Sequence, residues 1–280
     1  MGDAPGSQFD SLHRAPRYAQ PLLLLAAGAL ILPLAWMLTS SLKPAGQPEA
    51  EFWPRHLEWR NYAAAWATDD YLRHLANTVL LCLGSVAGTL ISCSLVAYGF
   101  ARLRWPGRDA LFLVLIATML LPFHVTMLPR FQMFAAWGLY DTYWPLLLPK
   151  WLAGEGFFVF LLRQFFLTIP EELSEAARLD GASEWRILTQ IVLPLAKPAL
   201  ATVALFQFLQ TWNDFAGPLL YLSDPRKFPM AYALQQFVSA YHTQFGPLMA
   251  ASVMFTAPVV LLFFLTQKTF LRGIATAGMK

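Results

Sequence analysis

Six stretches of mostly apolar residues, at about 20–42, 77–100, 110–129, 144–166, 196–220 and 249–270, govern what this chain can fold into. Each is long enough to be a membrane-crossing helix, which needs roughly 20 such residues to span the hydrocarbon layer. The rest of the sequence cannot compensate for them. Of the 280 residues, 57% are hydrophobic and 13% charged, whereas a soluble domain is about a quarter charged. With so few charges to cover a water-facing surface, lipid becomes the main solvent, and the chain reads as an all-α integral membrane protein. A formal net charge of +3 is too small to suggest nucleic acid as a partner. Arg14 and Arg17 precede the first stretch as they would a signal peptide. Its length, Pro33, Trp36 and the lack of a small-x-small cleavage site before Lys43 favour an uncleaved span. The chain then divides into a tail, first span and external loop over 1–70 and a five-helix core over 71–280.

Orientation follows from Lys and Arg in the connections, which collect on the cytoplasmic side. Arg102, Arg104 and Arg108 lie between spans two and three, and Arg163, Arg178, Arg186 and Lys197 follow span four. Arg14 and Arg17 mark the N-terminus, and Lys268, Arg272 and Lys280 the C-terminus. With six spans, all four segments fall on one side, so both termini are expected in the cytoplasm. The segments 43–76, 130–143 and 221–248, rich in Trp, Tyr, Phe and Pro, are expected outside. Cys82 and Cys93 share one span about 16 Å apart along a helix. That is too far for a disulfide, and they read as small apolar fillers.

One charged segment interrupts the apolar text. Residues 171–194, EELSEAARLDGASEWRILTQIVLP, lie within a cytoplasmic stretch at 167–195 that reads as a helical hairpin. Thr168 stands three residues before Glu171 as in a capping box, and Pro170 suits a first helical position. Glu171 and Glu172 complement the helix dipole. Leu173, Ala176 and Ala177 form one narrow apolar face, and Asp180-Gly181 is a stop, with glycine supplying a left-handed residue. Ser183 restarts a second helix with an apolar stripe of Trp185, Leu188, Ile191 and Val192, and Pro194 marks its bend or end. Small and acidic residues facing outward suit a helix laid in a groove of a partner. A solvated connector on the membrane surface is the plain alternative.

The spacing of E-A-A, three residues, G, nine residues and I-x-L-P falls on Glu175, Ala176, Ala177, Gly181, Ile191, Leu193 and Pro194. It resembles the cytoplasmic signature of ABC importer permeases. FLTIPEELSEAARLDGAS (166–183), WNDF (212–215) and the ending FLRGIATAGMK resemble the maltose-type carbohydrate branch, over most of 70–280. The resemblance implies a type I importer permease fold in a bacterial cytoplasmic (inner) membrane. It also implies a coupling helix, with Asp180 in its motif, that docks on an ATPase subunit. The partners implied are a second permease in a heterodimer, two ATPase copies and an extracytoplasmic sugar-binding protein. This chain would hold no cofactor, ATP and Mg being bound by the ATPase.

Span five carries Gln207, Gln210, Thr211 and Asp214 within one third of a helix circumference, followed by Trp212, Asn213 and Phe215 in the same segment. Amides, a hydroxyl, a carboxylate and aromatic rings suit a hydrated sugar, so these seven form a candidate substrate path. Polar glue between helices is the competing reading. Span three ends in LPFHVTMLP, where Pro122 and Pro129 are expected to kink it near His124. Among other functions, a proton-coupled secondary transporter would show internal repeats and buried ionisable pairs, and neither is evident. An enzyme would need clustered acid, base or metal ligands, yet His13, His56, His74, His124 and His242 are scattered. No G-x-x-x-x-G-K-[ST] loop occurs, so ATP would be hydrolysed elsewhere. Carbohydrate is the expected cargo, with glycerol-phosphate or another polyol as the alternative for the same permease type.

Overall fold

The computed structural model describes residues 19–67, 70–240 and 245–277. Arg14, Arg17, Lys280, His13 and His242 lie outside the described residues, as do the side chains of Lys268 and Arg272. Every regular element described is helical. In order they are α1 (Ala19–Ser41), α2 (Arg60–Ala67), α3 (Tyr71–Arg102), α4 (Arg108–Thr118), α5 (Phe123–Ala136), α6 (Trp144–Trp151) and α7 (Gly156–Thr168). There follow α8 (Glu171–Leu179), α9 (Glu184–Ile187), a π-helical turn at Leu188–Val192, α10 (Leu193–Leu195), α11 (Lys197–Trp212), α12 (Ala216–Tyr221), a 3-10 turn at Pro225–Lys227, α13 (Met230–Ala240) and α14 (Phe245–Ala277). Four segments are long and apolar enough to span a membrane, and two bent pairs raise the total to six. The described chain forms two compact units, residues 19–67 with 240 and 245–254, and residues 70–239 with 255–277.

In the first unit, the carbonyls left open where α1 ends are closed by a side chain. Buried Asn61 donates from Nδ2 to the carbonyls of Ser41 (2.9 Å) and Lys43 (2.8 Å). The Ser41 and Tyr62 hydroxyls share a 2.7 Å hydrogen bond, and Trp36 meets Phe245 edge-on at 5.5 Å between ring centres.

The second unit is organised by α3, whose inward face is made of small residues: Ser85, Gly88, Thr89, Ser92, Cys93 and Ala97 are all buried. Small side chains let helix backbones approach closely, which is the main source of cohesion between helices in lipid. Helices α6, α7 and α11 pack on this face. Phe158, Val159, Leu162 and Phe166 of α7 and Val203 of α11, all fully buried, complete the core.

Three of the expected spans are broken. Span three is two helices, α4 and α5, meeting at 99°. Pro122, extended at φ −61° and ψ 140°, stands immediately before α5. It removes an N–H and pushes Leu121 out of the helical region, so the chain turns there. Pro129, expected to add a kink, remains inside α5. In span four the break falls between α6 and α7, with Ala153 left-handed at φ 53°. Ser92 of α3 bridges this break, donating to the Lys150 carbonyl (2.8 Å) and accepting from the Ala153 N–H (3.1 Å). Across the same break the Lys150 ammonium pairs with the Glu155 carboxylate. The two side chains are half-buried, so the expectation that no buried ionisable pair occurs is not overturned by them. Five positions separate the two residues, and only the interruption of the helix brings them together. Span five ends at Trp212, so Asn213, Asp214 and Phe215 are not helical, and α12 follows.

Outside the spans, the loop after α5 is tied to the loop after α12. Asp141, left-handed at φ 56°, accepts from the backbone N–H groups of Ser223 (2.9 Å) and Asp224 (3.0 Å) and from Lys227 Nζ (2.7 Å). The Lys227 hydrogen bond, then the two backbone donors, hold the Asp141 carboxyl down at about 2.

Gly88 tests the close packing of α3. A Cβ added there would lie 2.5 Å from Trp151 Cδ1, whereas one added at Gly99 of the same helix meets nothing within 4 Å. Gly88→Ala is expected to cost about 1–3 kcal/mol as overpacking. Gly99→Ala should be neutral or gain up to about 1 kcal/mol through helix propensity. Thermal midpoints of the two variants in detergent should therefore move in opposite directions or differ clearly.

Candidate functional site

The charged segment does form a two-helix hairpin, but its start differs from expectation. The Thr168 hydroxyl donates to the Phe165 carbonyl (2.7 Å) and makes no capping box, and Pro170 lies just before α8 rather than in its first turn. The chain is set at this point by Arg102 instead. Its buried guanidinium donates from Nη2 to the carbonyls of Phe166 (2.6 Å) and Ile169 (2.5 Å), where α7 ends. A cation at a helix C-terminus satisfies both the open carbonyls and the dipole. A basic residue at the end of a span reads from sequence as a cytoplasmic charge, so this anchoring function was not evident there.

The elbow is as expected. Gly181 is left-handed at φ 79°, and the Ser183 hydroxyl accepts from the Arg186 N–H (3.3 Å), starting α9. Across the elbow, Arg178 donates from Nε to Glu184 Oε1 (2.6 Å) and from Nη2 to Oε2 (3.3 Å). The same carboxylate accepts from the Tyr98 hydroxyl of α3 at 2.5 Å.

In α8, Glu175, Ala176 and Asp180 are exposed with Gly181, Ala177 is half-buried, and Ser174 alone is buried. Leu173 is exposed, and Leu179, at the elbow, is the more exposed of the two. In the second arm the buried side chains are Ile187, Leu188 and Val192, while Ile191 and Leu193 are half-buried and Pro194 is exposed. Trp185, expected in the stripe, is 65% exposed. The π-helical turn at Leu188–Val192 alters the rotation per residue, so a stripe projected on an ideal helix loses register. Beyond Pro194 the chain bends by 79° into α11.

The polar residues of span five separate into two groups. Gln207 is fully buried, accepting from the Thr89 hydroxyl (2.9 Å) and donating to Thr211 Oγ1 (2.9 Å). It joins α11 to α3 and is not among the residues that line the cavity. Gln210, Thr211 and Asp214, with Ser85 and Lys150, line a partly open cavity of about 170 Å³, together with Leu81, Leu146, Pro218 and Pro229. Asp214 accepts from the Gly217 N–H (2.9 Å) in the break before α12. Trp212 is buried between Phe208 and Phe255, with ring centres at 5.2 and 5.4 Å, so it is a packing residue. Asn213 is exposed and returns its amide to the Leu209 carbonyl (2.8 Å), and Phe215 packs on Tyr232 at 5.6 Å. His124 lies at the start of α5 with its ring edge-on to Phe123 at 5.9 Å.

Residues 82–276 match the family described as binding-protein-dependent transport system inner membrane component. The chain belongs to this family. The permease is 32% identical over 251 residues to the diacetylchitobiose uptake system permease protein NgcG of Streptomyces coelicolor, covering 88% of this chain and 83% of that protein. It is 30% identical over 271 residues to the arabinooligosaccharides transport system permease protein AraQ of Bacillus subtilis, covering 94% and 96% respectively. Among solved structures, a chain of a bacterial ABC transporter involved in the import of the acidic polysaccharide alginate superposes with a TM-score of 0.81. The two are 25% identical, with 96% of the permease and 99% of that chain covered. The fold is that of an ABC importer permease, and the protein is a component of a transport system of the inner membrane.

The division within span five yields opposite phenotypes. Gln207→Leu leaves the Thr89 hydroxyl without its acceptor, at a cost of about 1 kcal/mol for a bond between helices in a membrane. Its melting midpoint should fall while transport per folded permease stays near wild type. Gln210→Leu should leave the midpoint unchanged and lower transport, as read by uptake in proteoliposomes normalised to protein.

Proposed function

We propose that this permease forms half of the membrane channel of an ATP-driven carbohydrate importer, and that the 167–195 hairpin is where it engages an ATPase subunit. The observation that carries this reading is the asymmetry of the hairpin. Its inner side is held by Arg102, Tyr98 and a buried apolar stripe, while Glu175, Ala176, Asp180 and Gly181 are left open. An exposed helix of small and acidic residues allows a partner surface to come close to its backbone. The chain carries no phosphate-binding loop, so ATP and Mg belong to that partner, present in two copies. A second permease supplies the other half of the path, and an extracytoplasmic binding protein delivers the cargo.

Carbohydrate as the cargo is supported by the sugars named for NgcG and AraQ and by the chemistry of the cavity. Gln210, Thr211, Asp214 and Ser85 offer donors and acceptors of the kind that replace the water around hydroxyl groups. The charge distribution of the connections supports a topology with both termini and the hairpin in the cytoplasm and 43–76 outside.

Two measurements test this reading. Ser183→Cys should resist an impermeant maleimide added to intact spheroplasts and react once the membrane is opened. Labelling from outside would refute the topology. Gly181→Val should accumulate normally, since a side chain at 181 meets nothing within 4 Å and costs only about 1–2 kcal/mol for the left-handed backbone. It should nevertheless lose transport and binding-protein-stimulated ATP hydrolysis together, because the elbow sets how the hairpin enters its partner. Wild-type values for both would make the hairpin a surface connector.

A further inference from the structure

We propose that Tyr98, Glu184 and Arg178 form the tie through which movement of the hairpin is delivered to α3 and so to the polar cavity. This rests on the reading of the hairpin as the ATPase contact, and it assigns positioning roles to residues outside the signature motif. Glu184 is the hub. One carboxylate closes the elbow through Arg178, six residues back and on the other arm, and also holds the Tyr98 hydroxyl of α3. The two arms of the hairpin and the membrane helix above them therefore meet at a single group.

Two features make this junction fit to carry a displacement. Tyr98 is 4% exposed and belongs to the core that joins α3 to α7 and to the second arm of the hairpin, so its ring cannot swing away. One turn further along α3, Arg102 grips the end of α7, the segment from which the hairpin departs. The hairpin is thus held to α3 at its entrance and at its elbow, and it moves with that helix as one body. In the other direction, α3 runs unbroken from Tyr98 to Ser85 and Leu81, which line the cavity. Thirteen residues of helix separate Tyr98 from Ser85, a distance of about 20 Å bridged by a continuous rod. Thr89 and Ser92 between them bond to Gln207 of α11 and to the α6–α7 break. A tilt imposed at Tyr98 is therefore shared with the other helices around the cavity. Coupling through the tie is read from how the effects of substitutions combine.

The complete transporter, reconstituted with its ATPase, partner permease and binding protein, provides that observable as cargo imported per ATP hydrolysed. Tyr98→Phe keeps the ring in the core and removes only the hydroxyl, so abundance and ATPase co-purification should be unchanged. Binding-protein-stimulated hydrolysis should stay within about twofold of wild type, while import per ATP falls at least fivefold. Glu184→Gln keeps an acceptor for Tyr98 but breaks the ion pair across the elbow, and it should uncouple to a similar extent. The double variant should be no worse than the poorer single one, because both act on one junction. Import per ATP at the wild-type level in Tyr98→Phe, or effects that multiply in the double variant, would overturn the tie. If Tyr98→Phe fails to accumulate, Glu184→Gln alone decides, with unchanged import per ATP counting against the proposal. Gly181→Val in the same assay reports separately on the hairpin: full activity there would remove the docking reading itself, whatever Tyr98 does.

Discussion

Helices in a bilayer gain nothing from hiding apolar surface against one another, because the acyl chains they leave are equally apolar. What remains is close approach of backbones and hydrogen bonds between helices, and both are concentrated on one face of α3. Gly88 lets the indole of Trp151 lie against the helix, Thr89 bonds to Gln207, and Ser92 reaches into the backbone of the neighbouring span. The breaks, the cavity and the hairpin are all placed relative to this one helix.

A second constraint follows from the same solvent. Interrupted helices expose backbone groups that lipid cannot satisfy, so every break must be closed by protein. Ser92 does this between α6 and α7, Arg102 at the end of α7, and Asp214 ahead of α12. Two of these closures lie beside the polar cavity, since Lys150 and Asp214 line it. The irregular backbone is tolerated there because it borders a polar cavity rather than lipid.

Element type and membrane character were legible in the sequence because they depend on long apolar runs, which need no knowledge of neighbours. Gly181 and Ser183 were legible for a similar reason, since a left-handed stop and an N-cap are local chemistry. What escaped were features fixed by tertiary partners. Pro122 and Pro129 look alike in the sequence, yet one stands just before a helix and the other is carried inside it. The amides of Gln207 and Gln210 sit on one helical stripe, but only the first finds a hydroxyl on α3. Trp185 left its projected stripe because a π-helical turn cannot be read from a 3.6-residue period. Lys150 and Glu155 could be paired only once the interruption between them was known.

The open surroundings of Gly181 bear on how this position can change over time. At most tight sites glycine is kept because any side chain would collide, but here the space beyond the α-carbon is empty. Within this chain, position 181 is therefore constrained by handedness and not by volume. Asparagine, which tolerates the left-handed region better than other chiral residues, is the nearest natural alternative. A D-alanine introduced by chemical synthesis would prefer this backbone outright, and would make the elbow stiffer than evolution could with L-amino acids.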